Sequence, residues 1–139
     1  MWFKLAAVVL VGFLVYVWLT YYNLNGVYIV RYYRPDCTAC ASSQTEWDNL
    51  KAEFNALPAD KKALIKEPIK FVDVNTGNTS SLHTYMWKSK HTPTAVPNII
   101  LLHNGIVTEY KGVDNSRRNI DEFVGNYLDK AGLIVRDKK

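Results

Sequence analysis

The two cysteines of this 139-residue chain, Cys37 and Cys40, lie where one hydrophobic pattern gives way to another. Before them, Val27-Tyr28-Ile29-Val30-Arg31-Tyr32-Tyr33 is β-branched and aromatic, the pattern of a buried strand. After them, Trp47, Leu50, Phe54 and Leu57 recur at spacings of three and four, one face of a helix. The segment Tyr33-Arg34-Pro35-Asp36-Cys37-Thr38-Ala39-Cys40 is therefore a passage from a strand to a helix N-terminus. A thiolate at that point meets unpaired backbone N–H groups and the positive end of the helix dipole. Both lower the pKa of Cys37 and make it a nucleophile near neutral pH. Cys40, one helical turn later, is placed to resolve a mixed disulfide.

Metal sites use the same Cys-x-x-Cys spacing. A structural zinc needs four ligands, and the chain has no second cysteine pair. Only His83, His91 and His103 remain to complete a set, far downstream and at unrelated spacings. The residues favour dithiol chemistry and leave a zinc site or two inert cysteines as the alternatives. Each histidine reads as a surface or loop residue rather than a ligand, so no metal is expected. Tyr32, Tyr33, Trp47 and Phe71 read as core.

Length allows one domain once the N-terminus is set aside. A net charge of +4 is mild, and the basic residues form no block and no aromatic-interleaved stripe, so nothing supports nucleic-acid binding. From Leu5 to Leu19 there is neither charge nor proline. Residues 2–22 make about twenty apolar positions, enough to cross a bilayer, with Trp2, Trp18, Tyr21 and Tyr22 near the ends. Bulky residues after the apolar run favour an uncleaved anchor over a cleaved signal peptide. Lys4 favours a cytoplasmic N-terminus, which puts the remaining chain in a lumen, periplasm or exterior, although Arg31 and Arg34 follow closely. Asn78-Thr79-Ser80 is a glycosylation sequon compatible with a lumenal site.

Three segments follow: an anchor over 1–24, a domain over 25–131 and a polar tail over 132–139. Within the domain, Pro58 to Lys62 turns into a short polar helical stretch ending at Pro68, and Ile69 to Val74 is a second strand. Ser80 or Ser81 caps a helix running to about Lys90, and Thr92 to Pro97 is a stiff loop. Two apolar runs around Asn104-Gly105 predict a hairpin. Ser116 caps a last helix with Ile120, Phe123, Val124, Tyr127 and Leu128 on one face. The order strand, helix, strand, helix, hairpin, helix makes an α/β fold, a mixed sheet covered by helices.

That order, with the cysteine pair after the first strand and Val96-Pro97 before the hairpin, resembles the thioredoxin superfamily. Tyr33 to Cys40 is similar to the Tyr-Ala-Pro-Trp-Cys-x-x-Cys of protein disulfide isomerase domains, and Gly112 with Ser116 to Phe123 looks like the family's last loop and helix. The match covers roughly residues 25–131; the family's optional first strand and helix are missing, with the apolar segment in their place. The resemblance implies that Cys37 attacks, that Cys40 resolves and that the two form a redox disulfide. It also implies a cis Pro97 opposite them and a substrate groove at Asp36, Val96 and Pro97, where the main chain at Val96 pairs with an extended segment.

Three positions depart from the family. Asp36 stands where tryptophan is usual, and a carboxylate beside Cys37 opposes the helix dipole unless it is well solvated. Arg31 occupies the place of a buried acid. A cation there would favour a Cys40 thiolate, but burial of an unpaired arginine is costly, so Arg31 is expected to turn to the surface or to pair with Asp73. Thr45 replaces a helix-bending proline. Thr38-Ala39 matches neither the Gly-Pro of reductants nor the Gly-His of isomerases, and so carries no direction of electron flow.

The function expected is a membrane-anchored protein thiol–disulfide oxidoreductase with no bound cofactor. Its partners would be protein thiols and disulfides and a redox partner protein. Two other readings stand beside it: a non-catalytic binding or assembly module on the same fold, and a carrier holding a soft ion such as Cu(I) between the thiols.

Overall fold

A computed structural model describes residues 2–18, 26–78, 80–112 and 114–134. Helix α1 spans Trp2–Val17, and strand β1, Val27–Tyr33, leads into helix α2, Thr38–Asn55. A short α3, Ala59–Lys62, precedes β2, Ile69–Asn75, and α4, Leu82–Lys88. The hairpin strands β3, Asn98–His103, and β4, Ile106–Glu109, are followed by α5, Arg117–Lys130. The four strands form one mixed sheet in the order β2-β1-β3-β4, with β1 parallel to β2 and antiparallel to β3. Asn104 and Gly105 both take positive φ, 52° and 77°, the conformation that a two-residue hairpin turn of matching twist demands.

Helices cover both faces of the sheet, and β1 shows the consequence. Val27 and Ile29 pack with Trp47 and Leu50 of α2 and with Ile120, Val124 and Leu128 of α5. Tyr28, Val30 and Tyr32 point the other way, against Trp87 of α4. A strand alternates its side chains between two faces, and here neither face is open to water. Ser81 and Ser116 accept hydrogen bonds from Thr84 N and Asn119 N and so cap α4 and α5. With threonine at position 45, α2 runs as one 18-residue helix; it ends before Leu57, which the spacing had placed on its apolar face.

The chain enters β1 through Gly26, at φ +99°. A Cβ added there would lie 2.6 Å from the carbonyl oxygen of Pro68, which also receives the Val27 N–H. Both the backbone conformation and the space exclude a side chain. Gly26→Ala is expected to lower stability by about 2 kcal/mol or more, read from the denaturant midpoint; an unchanged midpoint would contradict this geometry.

Helix α1 stands apart from this core. It has 16 residues and buries none of them, with Trp2 and Phe3 85% and 90% exposed. At about 1.5 Å per residue it is about 24 Å long, against a hydrocarbon core of about 30 Å. No described helix is long and apolar enough to cross a membrane. The rest of the expected span, 19–22, lies outside the described residues, as do residues 23–25, Thr79 of the sequon and most of the expected tail.

His103 differs from its reading as a surface residue. It closes β3 at 9% exposure, with Nδ1 against the Tyr127 hydroxyl at 2.8 Å and Nε2 against Glu67.

Candidate active site

Cys37 is the N-cap of α2, and its Sγ accepts a hydrogen bond from Cys40 N at 3.0 Å. β1 and its parallel partner β2 hold the strand end in place, with Thr76 N donating to Tyr33 O at 2.8 Å. Cys37 and Cys40 form a disulfide, their Cα atoms 5.2 Å apart. Cys37 is half-buried, whereas Cys40 is 3% exposed. On reduction, the Cys40 N–H aimed at Cys37 Sγ favours the ionised sulfur there, because a hydrogen bond to an anion is stronger than one to a neutral thiol.

The Val96–Pro97 peptide bond is cis, and Val96 O lies 3.7 Å from Cys37 Sγ. The disulfide sulfur carries no proton, so this is a contact in the oxidised state; only a reduced, protonated Cys37 donates a hydrogen bond to Val96 O. The loop before β3 thus brings Val96, and with it the neighbouring Pro97, to the Cys37 side of the helix start. Asp36, the residue before Cys37, lines neither neighbouring cavity; its carboxylate points to solvent and pairs with Arg34 at 3.1 Å. Solvent and the Arg34 charge together blunt its influence on the neighbouring sulfur.

Two shallow cavities flank the pair. One, of about 320 Å³, is lined by Tyr33, Arg34, Pro35, Cys40, Ala41 and Gln44. The other, of about 200 Å³, includes Arg34, Thr76, Lys88, Thr94 and Val96. Among the described residues no three His, Cys, Asp or Glu side chains gather as metal ligands.

Arg31 overturns its expectation. It is 1% exposed, not at the surface, and its hydrogen bonds do not go to Asp73. Nη2 donates to Cys40 O at 2.8 Å and to Ser43 Oγ at 3.2 Å, while Nη1 donates to Gln44 Oε1 at 2.9 Å. The guanidinium also sits 5.6 Å from the Tyr33 ring centroid and 6.0 Å from that of Trp47. Asp73, the register neighbour across β1 and β2, instead accepts from Trp47 Nε1 at 2.6 Å and Lys51 Nζ at 2.9 Å. Burial pulls Arg31 below its ordinary pKa, opposed by the charges of Asp73, Asp48 and Tyr33. The signal for this placement was the strand period: Arg31 follows Val27 and Ile29 onto the α2 face.

The arrangement of sheet and helices recurs in solved structures. The first thioredoxin domain of mouse protein disulfide-isomerase A4 matches at TM-score 0.57 and 16% identity, over 82% of this chain and 71% of that one. The first two thioredoxin domains of Saccharomyces cerevisiae Eps1p match at TM-score 0.59 and 18% identity, over 81% of this chain. The chain has the thioredoxin fold. A J-Trx1 fragment of ERdj5 matches at TM-score 0.52 and 15% identity, over 75% of this chain. This chain spans 39% of the Eps1p structure and 44% of the ERdj5 fragment. No family model matches the sequence, and no curated protein does.

Proposed function

We propose that this thioredoxin-fold chain is a thiol–disulfide oxidoreductase acting on protein substrates, with Cys37 as nucleophile and Cys40 as resolving thiol. The observation that carries the reading is the disulfide at the capped start of α2, its half-buried sulfur facing the carbonyl before cis-Pro97. As a reductant, the Cys37 thiolate attacks a client disulfide, the client S–S bond breaks and one client thiolate leaves. The Cys40 thiolate then attacks Cys37 Sγ, which closes the Cys37–Cys40 bond and releases the second client thiolate. Two electrons pass from the pair to the client, and the same steps reversed oxidise a client dithiol. A second redox protein then resets the pair. Extended client chain lies along Val96, beside Asp36 and Pro97.

The same proposal includes a membrane tether through residues 2–22, with the domain on a lumenal, periplasmic or outer face. Its support is that α1 is apolar all round beyond Lys4 and buries none of its residues, which suits an apolar surrounding better than water. The chain is expected to stay with membranes through alkaline carbonate extraction; its release into the soluble fraction would remove the tether.

The deciding experiment equilibrates the full chain, in neutral detergent micelles, against graded glutathione buffers and reads the Cys37–Cys40 bond. A reversible couple near about −270 mV marks a reductant, and one between about −180 and −120 mV an isomerase or oxidant. Failure to form a reversible disulfide sinks the oxidoreductase reading, and a non-catalytic binding module on this fold takes its place.

A further inference from the structure

Arg31 is a buried cation fixed beneath the turn that carries Cys40. Among the described residues its three hydrogen-bond acceptors are neutral oxygens, of Cys40, Ser43 and Gln44. All three residues belong to the first two turns of α2, Cys40 among them. The carbonyl oxygen and the sulfur of one cysteine lie within about 5 Å of each other, so the guanidinium is within about 8 Å of Cys40 Sγ.

The charged groups around it are few. Asp73 reaches it from β2, Asp48 from α2 and the Tyr33 phenol from β1 itself. Asp73 is already engaged by Trp47 and Lys51, so its charge is partly offset. In the disulfide state neither sulfur is an anion. Reduction and ionisation of Cys40 place a negative charge where the buried guanidinium has only neutral acceptors, and few waters screen the two from each other.

We infer that Arg31 is an electrostatic positioning residue that stabilises the Cys40 thiolate and so biases the pair towards donating its disulfide to clients. Stabilising the reduced form of a couple makes its disulfide the stronger oxidant. In that direction a client thiolate attacks Cys37 Sγ, the Cys37–Cys40 bond breaks and Cys40 departs as a thiolate, which is the charge that Arg31 faces. A second client thiolate then displaces Cys37, and two electrons have moved from the client to the pair. A leaving thiolate stabilised in this way departs faster and needs no proton delivered to it. The inference rests on the proposed dithiol chemistry for its direction but not for its charge effect.

Two readouts separate the two. In a Cys37→Ser background, the pH dependence of Cys40 alkylation by a small iodoacetamide reports the Cys40 midpoint directly. It is expected below the ordinary thiol value of about 8.5, and about one pH unit higher when Arg31→Gln is added. Arg31→Lys is expected to restore most of the shift. In the full chain with both cysteines, Arg31→Gln is expected to make the disulfide about tenfold harder to reduce at a pH above both midpoints, or about 30 mV. That gap closes as the pH falls below both midpoints, because the proton then occupies Cys40 in either variant. A purely structural arginine would not produce this profile.

A Cys40 midpoint at or above about 8.5 with Arg31 in place overturns the inference, and so do equal potentials in two folded variants. If Arg31→Gln does not fold, the Cys40 midpoint measured with Arg31 intact still decides. If no reversible disulfide forms, the oxidoreductase reading fails while the Cys40 titration continues to test Arg31.

Discussion

Cys40→Ala is expected to turn the chain into a trap. Cys37 keeps its place at the start of α2 and still attacks client disulfides, but nothing within reach attacks Cys37 Sγ in turn. Mixed disulfides with client proteins then accumulate and survive non-reducing electrophoresis, disappearing on addition of dithiothreitol. Cys37→Ser removes the attacking sulfur and is expected to lower disulfide-exchange turnover by at least about 10³-fold, with no adducts formed. The asymmetry follows from burial, since a client disulfide reaches the half-buried Cys37 and not the 3% exposed Cys40. Adducts formed through Cys40 in the Cys37→Ser variant would reverse the two roles. Full turnover in that variant would end the assignment.

Trp47→Ala is expected to have the largest effect on stability. Trp47 is 1% exposed, packs in the core beneath α2 and meets the Phe71 ring edge-on at a centroid distance of 5.5 Å. Its Nε1 donates to Asp73 Oδ1 at 2.6 Å, and the Arg31 and Lys51 cations lie about its ring. Truncation to alanine leaves a cavity and takes a donor from Asp73, and large-aromatic truncations of this kind cost about 3–5 kcal/mol. Against a total stability of about 5–15 kcal/mol, that loss is a large share. Trp47→Phe keeps most of the volume and loses the hydrogen bond, so it is expected to cost about 1–2 kcal/mol. Urea unfolding followed by circular dichroism measures both. A loss below about 1 kcal/mol for the alanine variant would contradict the packing.

Most of the fold was legible in short-range pattern. The alternation of β1, the Asn104-Gly105 turn and the serine caps of α4 and α5 are local signals, because strand pleat, turn conformation and helix-end donors are settled within a few residues. The cysteine pair at a strand-to-helix boundary is legible for the same reason. Leu57 shows the limit of periodicity, since it fits the spacing of α2 yet lies beyond the end of the helix at Asn55. His103 shows another: a residue beside a turn reads as exposed, but Tyr127 of α5 and Glu67 fold over it from distant parts of the chain.

By itself, then, the sequence determined the order of elements, the mixed sheet they imply and the position of two thiols at a helix start. The tertiary structure alone decided what surrounds those thiols. Val96 reaches Cys37 from the loop before β3, and Asp73 comes to the side of Arg31 through the β1–β2 register. A lone arginine in an apolar strand suggests a solvent-facing position only if one face of the sheet is open. Here α2 and α5 cover one face and α4 the other, so strand alternation carries Arg31 beneath Cys40. Periodicity tells which residues share a face, but burial of that face depends on elements far away in the chain.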